Sequence, residues 1–121
     1  MNRTMTTVAI VAVLALAGCS GDAGDVEDAV SEYTTAYSSG DTETAYALLS
    51  ARCQKEIGEE KYSTLVEAAN KMYGELTVED VEVEEIDDNT ATVSYDVGVP
   101  ALKQAGQKFV REGGSWHWDG C

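Results

Sequence analysis

The sequence predicts an α+β domain in which N-terminal helices pack on one face of a curved antiparallel sheet formed by the second half of the chain. Two periodicities support this fold class. Apolar residues recur at three- and four-residue steps from Asp25 to Tyr73, as they do along helices, and they alternate with polar residues from Leu76 onward, as they do along strands. Helices followed by an antiparallel meander are typical of a two-layer α+β domain.

The first predicted helix begins at Asp25, whose carboxylate can cap it, and ends at Gly40. Its apolar stripe consists of Val26, Ala29, Val30, Tyr33 and Tyr37. Residues at this spacing lie on one face of a helix, so we expect them to contact the sheet.

The second predicted helix runs without interruption from its cap, Asp41, to Gly58. Its apolar stripe consists of Ala45, Leu48, Leu49, Cys53 and Ile57. This spacing places Cys53 on the inward face, where a strand distant in sequence could reach it.

The third predicted helix spans about residues 59 to 73. Its stripe consists of Tyr62, Leu65, Val66, Ala69 and Met72. Lys71 in the last turn and Gly74 after it are typical of a helix end, because a cation favours the C-terminal dipole and glycine accepts a positive φ.

Strands are predicted after Leu76. Val81 and Val83 alternate with two glutamates, and Asp87-Asp88-Asn89 is typical of a turn. The next strand carries Ala91, Val93, Tyr95, Val97 and Val99 on one face, and Pro100 stops it. A final hairpin pairs residues 108–112 with 115–120 through Gly113-Gly114, which puts Trp116 and Trp118 on one face.

Residues 1–18 have the layout of an export signal. Arg3 provides a positive start, an apolar run follows from Val8, and small residues precede Cys19. The run is shorter than the roughly 20 apolar residues that a membrane-spanning helix needs. An ordinary signal peptide followed by an incidental Cys19 is the alternative.

The tetrapeptide Leu16-Ala17-Gly18-Cys19 resembles the lipobox of bacterial lipoproteins. The resemblance implies that Cys19 receives a diacylglycerol and becomes the mature N-terminus. The protein would then be attached to the lipid bilayer on the extracytoplasmic face of the cell membrane. Residues 19–24 would form a short, flexible, lipidated tether of roughly 12 Å, and residues 25–121 would form the domain.

Cysteine counting supports this arrangement. The chain has 3 cysteines, and a lipidated Cys19 leaves Cys53 and Cys121, which we expect to form a disulfide. Closing the long loop between them stabilises the fold by about 4 kcal/mol in the chain-entropy model. Free thiols, a metal pair or a redox site are the alternatives, but there is no CxxC spacing and His117 is the only histidine.

The acidic composition limits the partners. The net charge is −14, and loss of residues 1–18 removes Arg3 and no acidic residue, which changes it to −15. Nucleic acid and anionic lipid surfaces repel such a chain. Attachment to a membrane must therefore come from the lipid on Cys19.

The order of elements resembles the cone-shaped domains of the nuclear transport factor 2-like (NTF2-like) superfamily, which includes ketosteroid isomerase, and more closely small actinobacterial lipoproteins with such a domain. Two segments carry the resemblance: Leu48-Leu49-Ser50-Ala51-Arg52-Cys53 and Gly114-Ser115-Trp116-His117-Trp118-Asp119-Gly120-Cys121. It implies a cone whose interior can hold a ligand. It does not fix a function, because this fold hosts enzymes, binders and adaptors.

No catalytic set is predicted. Strand alternation places Asp96, Glu82 and Glu84 on the face opposite the valines, and His117 opposite the tryptophans. The acidic run of residues 79–88 lacks the ligand spacing and the glycine of a calcium-binding EF-hand loop. We therefore predict no metal and no cofactor.

Aromatic side chains are the groups that the pattern directs inward. The candidate pocket residues are Tyr33, Tyr37, Tyr62, Tyr73, Tyr95, Trp116 and Trp118. Their rings could line a pocket while the tyrosine hydroxyls orient a ligand. Ordinary core packing, with each hydroxyl at the rim, is the alternative.

These observations predict a non-enzymatic binding or interaction module of the cell envelope that takes a small apolar ligand or an envelope protein. One alternative is an enzyme similar to ketosteroid isomerase or a dehydratase, acting on a small apolar ligand. Another is a structural adaptor that forms a homodimer through its sheet.

Overall fold

Four helices and a four-stranded sheet make up the computed structural model, which describes residues 20–121; Cys19 and the export signal of residues 1–18 lie outside the described residues. The helices are α1 (Ser20–Ser39), α2 (Thr42–Ala47), α3 (Ala51–Ile57) and α4 (Glu59–Tyr73). The strands are β1 (Glu79–Ile86), β2 (Thr90–Asp96), β3 (Gln104–Glu112) and β4 (Ser115–Trp118), with a 3₁₀ turn at Pro100–Leu102. All neighbouring strands are antiparallel and follow the order β1-β2-β3-β4. The predicted α+β class is confirmed.

Helix α1 starts five residues earlier than predicted, so the segment Ser20–Gly24, which we expected to be a flexible tether, is helical. Asp22 explains this extension. Its carboxylate lies in the first turn, where it interacts favourably with the helix dipole, and it accepts a 3.0 Å hydrogen bond from Arg111 on β3. In the described part of the chain, no helix is both long and apolar enough to cross a membrane.

The prediction of one continuous helix from Asp41 to Gly58 is wrong, because this segment forms two helices, α2 and α3. Leu48 and Ser50 at the break bond to the last residue of β4 instead: the Trp118 N–H donates to the Leu48 carbonyl at 2.9 Å, and the Ser50 N–H donates to the Trp118 carbonyl at 2.8 Å. Ser50 then caps α3, since its hydroxyl accepts from the Cys53 N–H at 3.1 Å. Local periodicity could not reveal this pairing with a distant strand.

Strand β3 begins at Gln104, four residues before the predicted start at residue 108. Between the pairs Val93↔Gln107 and Tyr95↔Gln104, β3 contains one residue more than β2. Gly106 lies in this bulge with φ +62°, a conformation that glycine adopts without steric cost. The bulge lets the strand continue where the sequence pattern is interrupted.

The core has two parts that share α1. The first half of the helix packs on the sheet, with Val26 and Val30 against Val93 and Phe109. The second half packs on the other helices, with Tyr33 against Leu49 and Tyr62. Helix α1 therefore joins the sheet layer to the helical layer.

The predicted disulfide between Cys53 and Cys121 is present, with the two Cα atoms 5.7 Å apart. It ties the chain end to α3. Asp119 strengthens this attachment, because its carboxylate accepts hydrogen bonds from the Ser50 hydroxyl at 2.6 Å and from Arg52 Nε at 3.1 Å. The end of β4 is thereby fixed on α3.

Candidate functional site

A cavity of about 280 Å³ lies where the second half of α1, the helix α4 and the inner face of the sheet meet. Its lining consists of Tyr33, Thr34, Tyr37, Ser38, Ile57, Tyr62, Leu65, Leu76, Tyr95, Val97, Leu102, Gln104 and Trp118. Its volume is near the lower end of the roughly 300–1,000 Å³ that is usual for ligand pockets. Only a small ligand fits such a site.

Two tyrosines provide the polar centre of this lining. The hydroxyl of Tyr33 on α1 and that of Tyr62 on α4 are 2.9 Å apart, and both residues are buried. Helical spacing directs both side chains away from solvent. One hydroxyl donates to the other, so the pair keeps one O–H that can donate to a ligand.

Burial makes the cavity hydroxyls harder to ionise than an ordinary tyrosine, which is itself neutral at neutral pH. Desolvation is the main cause that raises the pKa of Tyr33 well above the ordinary value of 10.0, and the nearby Tyr62 adds to it. Desolvation likewise raises the pKa of Tyr62, and it raises the pKa of Tyr95 to about 12. All three are therefore hydrogen-bond donors, not anions, at neutral pH.

Trp118 forms one wall of the cavity. Its ring stacks on that of Tyr33, with a centroid distance of 5.4 Å and an interplanar angle of 7°, and its Nε1–H donates to the Gln107 side chain at 3.0 Å. Gly120 closes over the far edge of the indole, since a Cβ there would lie 2.9 Å from ring atoms of Trp118. The wall is thus held by the Tyr33 ring on one face, by Gly120 at one edge, and by the backbone bonds to Leu48 and Ser50.

The strand bulge brings Gln104 to the cavity. Tyr95 and Gln104 are directly opposite in the β2–β3 ladder, so their side chains share a face of the sheet. The Gln104 Nε2 donates to the Leu102 carbonyl at 2.9 Å. Among the described residues, no donor contacts its Oε1, which remains free to accept.

Hydrogen bonds around Ser38 fix the part of the cavity lining formed by Thr34, Ser38 and Leu76, which we call the floor. The Ser38 hydroxyl donates to the Thr34 carbonyl at 2.7 Å and accepts from the Leu76 N–H at 2.8 Å. The Asn70 amide donates to the Ser38 carbonyl at 2.7 Å. These bonds hold α1, α4 and the segment after α4 together, so the cavity is preformed.

Five of the seven aromatic residues expected at a pocket line this cavity: Tyr33, Tyr37, Tyr62, Tyr95 and Trp118. Tyr73 lies outside it and is 41% exposed, because it is in the last turn of α4. Trp116 belongs to the sheet core, and the Arg111 guanidinium lies 4.7 Å from its ring centre. Both residues lie on the predicted elements, but at positions from which their side chains do not reach the cavity.

Two of the residues that we expected outside the interior, Asp96 and His117, are only partly exposed. Asp96 is half-buried at the end of β2, and its carboxylate lies 4.0 Å from the Lys103 Nζ. His117 is half-buried as well and lines a separate groove beside Trp116. Its Nδ1 is buried without a hydrogen-bond partner among the described residues.

Five further residues line the cavity that the sequence pattern did not predict there: Thr34, Ser38, Leu76, Leu102 and Gln104. The two residues on α1 are polar and lie outside its apolar stripe. One signal could have identified Gln104: a glycine inside a strand pattern marks a bulge, and a bulge changes which side chains face inward.

Comparison with known proteins agrees with this geometry. The chain matches the model of the family described as NTF2-like N-terminal transpeptidase domain over residues 25–116. It is also similar to a crystal structure described as that of a candidate NTF2-like transpeptidase from Campylobacter jejuni. The identity is 21%, the TM-score is 0.55, and the alignment covers 78% of this chain and 96% of that chain. At this identity the similarity shows the fold alone. No curated protein sequence matches the chain.

These matches confirm the predicted NTF2-like fold and correct one prediction. We predicted that the protein is not an enzyme, and the family match contradicts this because the family is described as a transpeptidase domain. The prediction depended on the outward positions that strand alternation assigned to the acidic residues of the strands and to His117, which left no catalytic set in the predicted interior.

Proposed function

This chain belongs to the family of NTF2-like N-terminal transpeptidase domains, and from that premise we propose that its cavity binds a small, uncharged ligand for a transpeptidase-type protein of the cell envelope. The single observation that carries the proposal is the Tyr33–Tyr62 pair. It presents one unused O–H inside a largely apolar cavity.

The walls match an apolar ligand. The stacked rings of Trp118 and Tyr33 form part of them, and aliphatic residues such as Leu65 and Leu76 complete the lining. An apolar group gains free energy by leaving water for such a site. A ligand oxygen that accepts from the tyrosine pair would be oriented by it.

The cavity also disfavours ions. Tyrosine is the only ionisable residue type in its lining, so no side chain there can neutralise a charged ligand at neutral pH. A charged group would lose its hydration without gaining a counter-ion. The ligand class that fits best is therefore neutral and oxygen-bearing.

The test compares two probes of equal shape, propiophenone and propylbenzene, which differ in one carbonyl oxygen. The Trp118 indole N–H signal in NMR spectra reports binding, and Trp116 gives an internal reference from outside the cavity. We expect propiophenone to bind several-fold more tightly, because a hydrogen bond contributes about 0.5–1.5 kcal/mol net. Failure of both probes to shift the Trp118 signal would refute the proposal.

Variants identify the donor. The double variant Tyr33→Phe/Tyr62→Phe removes both hydroxyls and should abolish the preference for propiophenone, whereas either single variant leaves one hydroxyl. Tyr73→Phe is the matched control, since Tyr73 is not part of the cavity lining. A preference that survives in the double variant would mean that another group binds the carbonyl.

We further propose that a lipid on Cys19 holds the domain at the outer face of the cytoplasmic membrane. The lipobox-like Leu16-Ala17-Gly18-Cys19 and the export-signal layout before it support this. The full chain and its Cys19→Ser variant are expressed in a bacterium and fractionated. The parent should be in the membrane and carry the mass of a lipid, and the variant should not. Equal distribution of the two would refute the anchor.

The family description favours a second candidate, direct participation in peptide-bond transfer. The neutral Tyr33–Tyr62 pair could donate to a carbonyl oxygen as negative charge develops on it. Incubation with an N-acyl peptide ester and an amine acceptor tests this, with the new amide detected by mass spectrometry. Product that forms with the parent and not with the double phenylalanine variant would support it. Equal product with both would exclude the pair.

A further inference from the structure

We propose that the cavity selects ligands that carry a secondary amide, and that Gln104 is the residue that determines this specificity. The inference rests on the proposed function and defines the ligand class more narrowly. An amide offers a carbonyl oxygen that accepts and an N–H that donates. The cavity contains the complement of each: the free O–H of the Tyr33–Tyr62 pair and the free Oε1 of Gln104.

The orientation of the Gln104 side chain supports its role as an acceptor. One N–H of its Nε2 donates to the Leu102 carbonyl at 2.9 Å, which orients the amide group. A primary amide with its NH₂ group fixed in this way has its oxygen directed elsewhere. Since Gln104 lines the cavity and is only half-buried, its oxygen is available to a ligand N–H.

The bulge in β3 determines that Gln104, and not its neighbour Ala105, lies opposite Tyr95. If the register of Val93↔Gln107 continued without the extra residue, Ala105 would be opposite Tyr95. Ala105 has no polar group to offer. With Gly106 at φ +62°, the strand instead places Gln104 opposite Tyr95. Bulges are frequent next to binding sites, where they redirect a side chain.

The two polar groups enter the cavity from different layers. Tyr33 and Tyr62 belong to the helices, whereas Gln104 belongs to the sheet. A ligand between them can therefore bond to a donor on one side and to an acceptor on the other. An ester or a ketone satisfies only the tyrosine donor and leaves the Gln104 oxygen without a partner, which costs free energy when water is excluded.

The test uses N-methylbenzamide and propiophenone. These probes have the same ring and carbonyl and differ in one position, where an N–H replaces a CH₂ group. Dissociation constants are measured with the lipid-free Cys19→Ser protein by titration of the Trp118 indole signal. We expect the amide to bind about fivefold more tightly than the ketone, as one additional hydrogen bond to a neutral group predicts.

Gln104→Met keeps the length of the side chain and removes its acceptor. The amide N–H then has no partner, so this variant should lose the preference for the amide and bind the ketone at least as tightly. Gln54→Met is the matched control. Its Nε2 also donates to a backbone carbonyl, that of Tyr46, and it is not part of the cavity lining, so it should keep the fivefold preference. Circular dichroism and the melting temperature establish that each variant is folded.

The outcomes separate this inference from the proposed function. If neither probe binds the parent, the proposed function and this inference both fail. If both probes bind the parent equally, the inference fails and the proposed function stands. A preference for the amide that persists in Gln104→Met overturns the role of Gln104. If that variant does not fold, the comparison of the two probes with the parent still decides whether the cavity selects an amide.

Discussion

Tyr95 on β2 lies directly opposite Gln104 on β3, in a register that one additional residue in β3 creates. Both side chains lie on the sheet side of the cavity. Tyr95 is buried beside the Tyr33–Tyr62 pair, and Gln104 occupies the adjacent strand. The presence of the Gln104 amide in the cavity therefore depends on the backbone conformation of Gly106, two residues further along β3.

Gly106→Ala should destabilise the protein by about 1 kcal/mol, because the residue has φ +62° and alanine is strained there. Space is not the cause, since no atom lies within 4 Å of the position of a Cβ. Gly24→Ala is the matched control. It is within α1 with open space around it, so the same change should stabilise by about 0.5–1 kcal/mol. Urea unfolding measures both, and equal effects would contradict the assignment.

Residues 25–39, 59–73 and 79–96 follow their local patterns, so their helices and strands could be predicted from the sequence. Apolar spacing decides which face of each element is buried, and it identified most of the aromatic side chains in the cavity. The break at Leu48–Ser50 and the position of Gln104 depend on hydrogen bonds to distant strands. Local periodicity carries no information about such bonds.

Cysteine counting succeeded for a different reason. Once Cys19 is set aside, Cys53 and Cys121 are the two cysteines left, so their pairing could be predicted without knowledge of the fold. Chemistry can therefore predict a contact over 68 residues that periodicity cannot.

Cys121→Ser should lower the free energy of unfolding by about 2–5 kcal/mol, because the unfolded chain is no longer constrained by the long loop. The measurement is urea unfolding in a Cys19→Ser background. An unchanged midpoint would mean that the disulfide does not form in solution.

The two cysteines should differ in reactivity when one is replaced. Cys53→Ser leaves the thiol of Cys121 exposed, so it should react with a thiol reagent in the folded protein. Cys121→Ser leaves the thiol of Cys53, which is 0% exposed and should react only after unfolding. Similar labelling rates for the two variants would contradict the burial of Cys53.

The Tyr33–Tyr62 hydrogen bond should appear as a coupling energy. Each single change to phenylalanine leaves the other hydroxyl in a largely apolar site and should cost about 1–2 kcal/mol. The double variant should cost less than the sum of the two, with a coupling of about 1 kcal/mol. Urea unfolding of all four proteins measures it, and Tyr73→Phe, an exposed control, should change stability little. Strict additivity would show that the two hydroxyls do not interact.

Stability should fall as the pH rises above 10, and the buried tyrosines supply the reason. Burial raises the pKa of Tyr95 to about 12, whereas in the unfolded chain it is about 10. The unfolded state therefore loses its proton first, so the stability from this hydroxyl is complete below pH 10 and is lost between pH 10 and 12. Between pH 8 and 11, Tyr95→Phe should lose about 1 kcal/mol less than the parent, as measured by urea unfolding. Parallel losses in the two proteins would mean that water reaches the Tyr95 hydroxyl in the folded state.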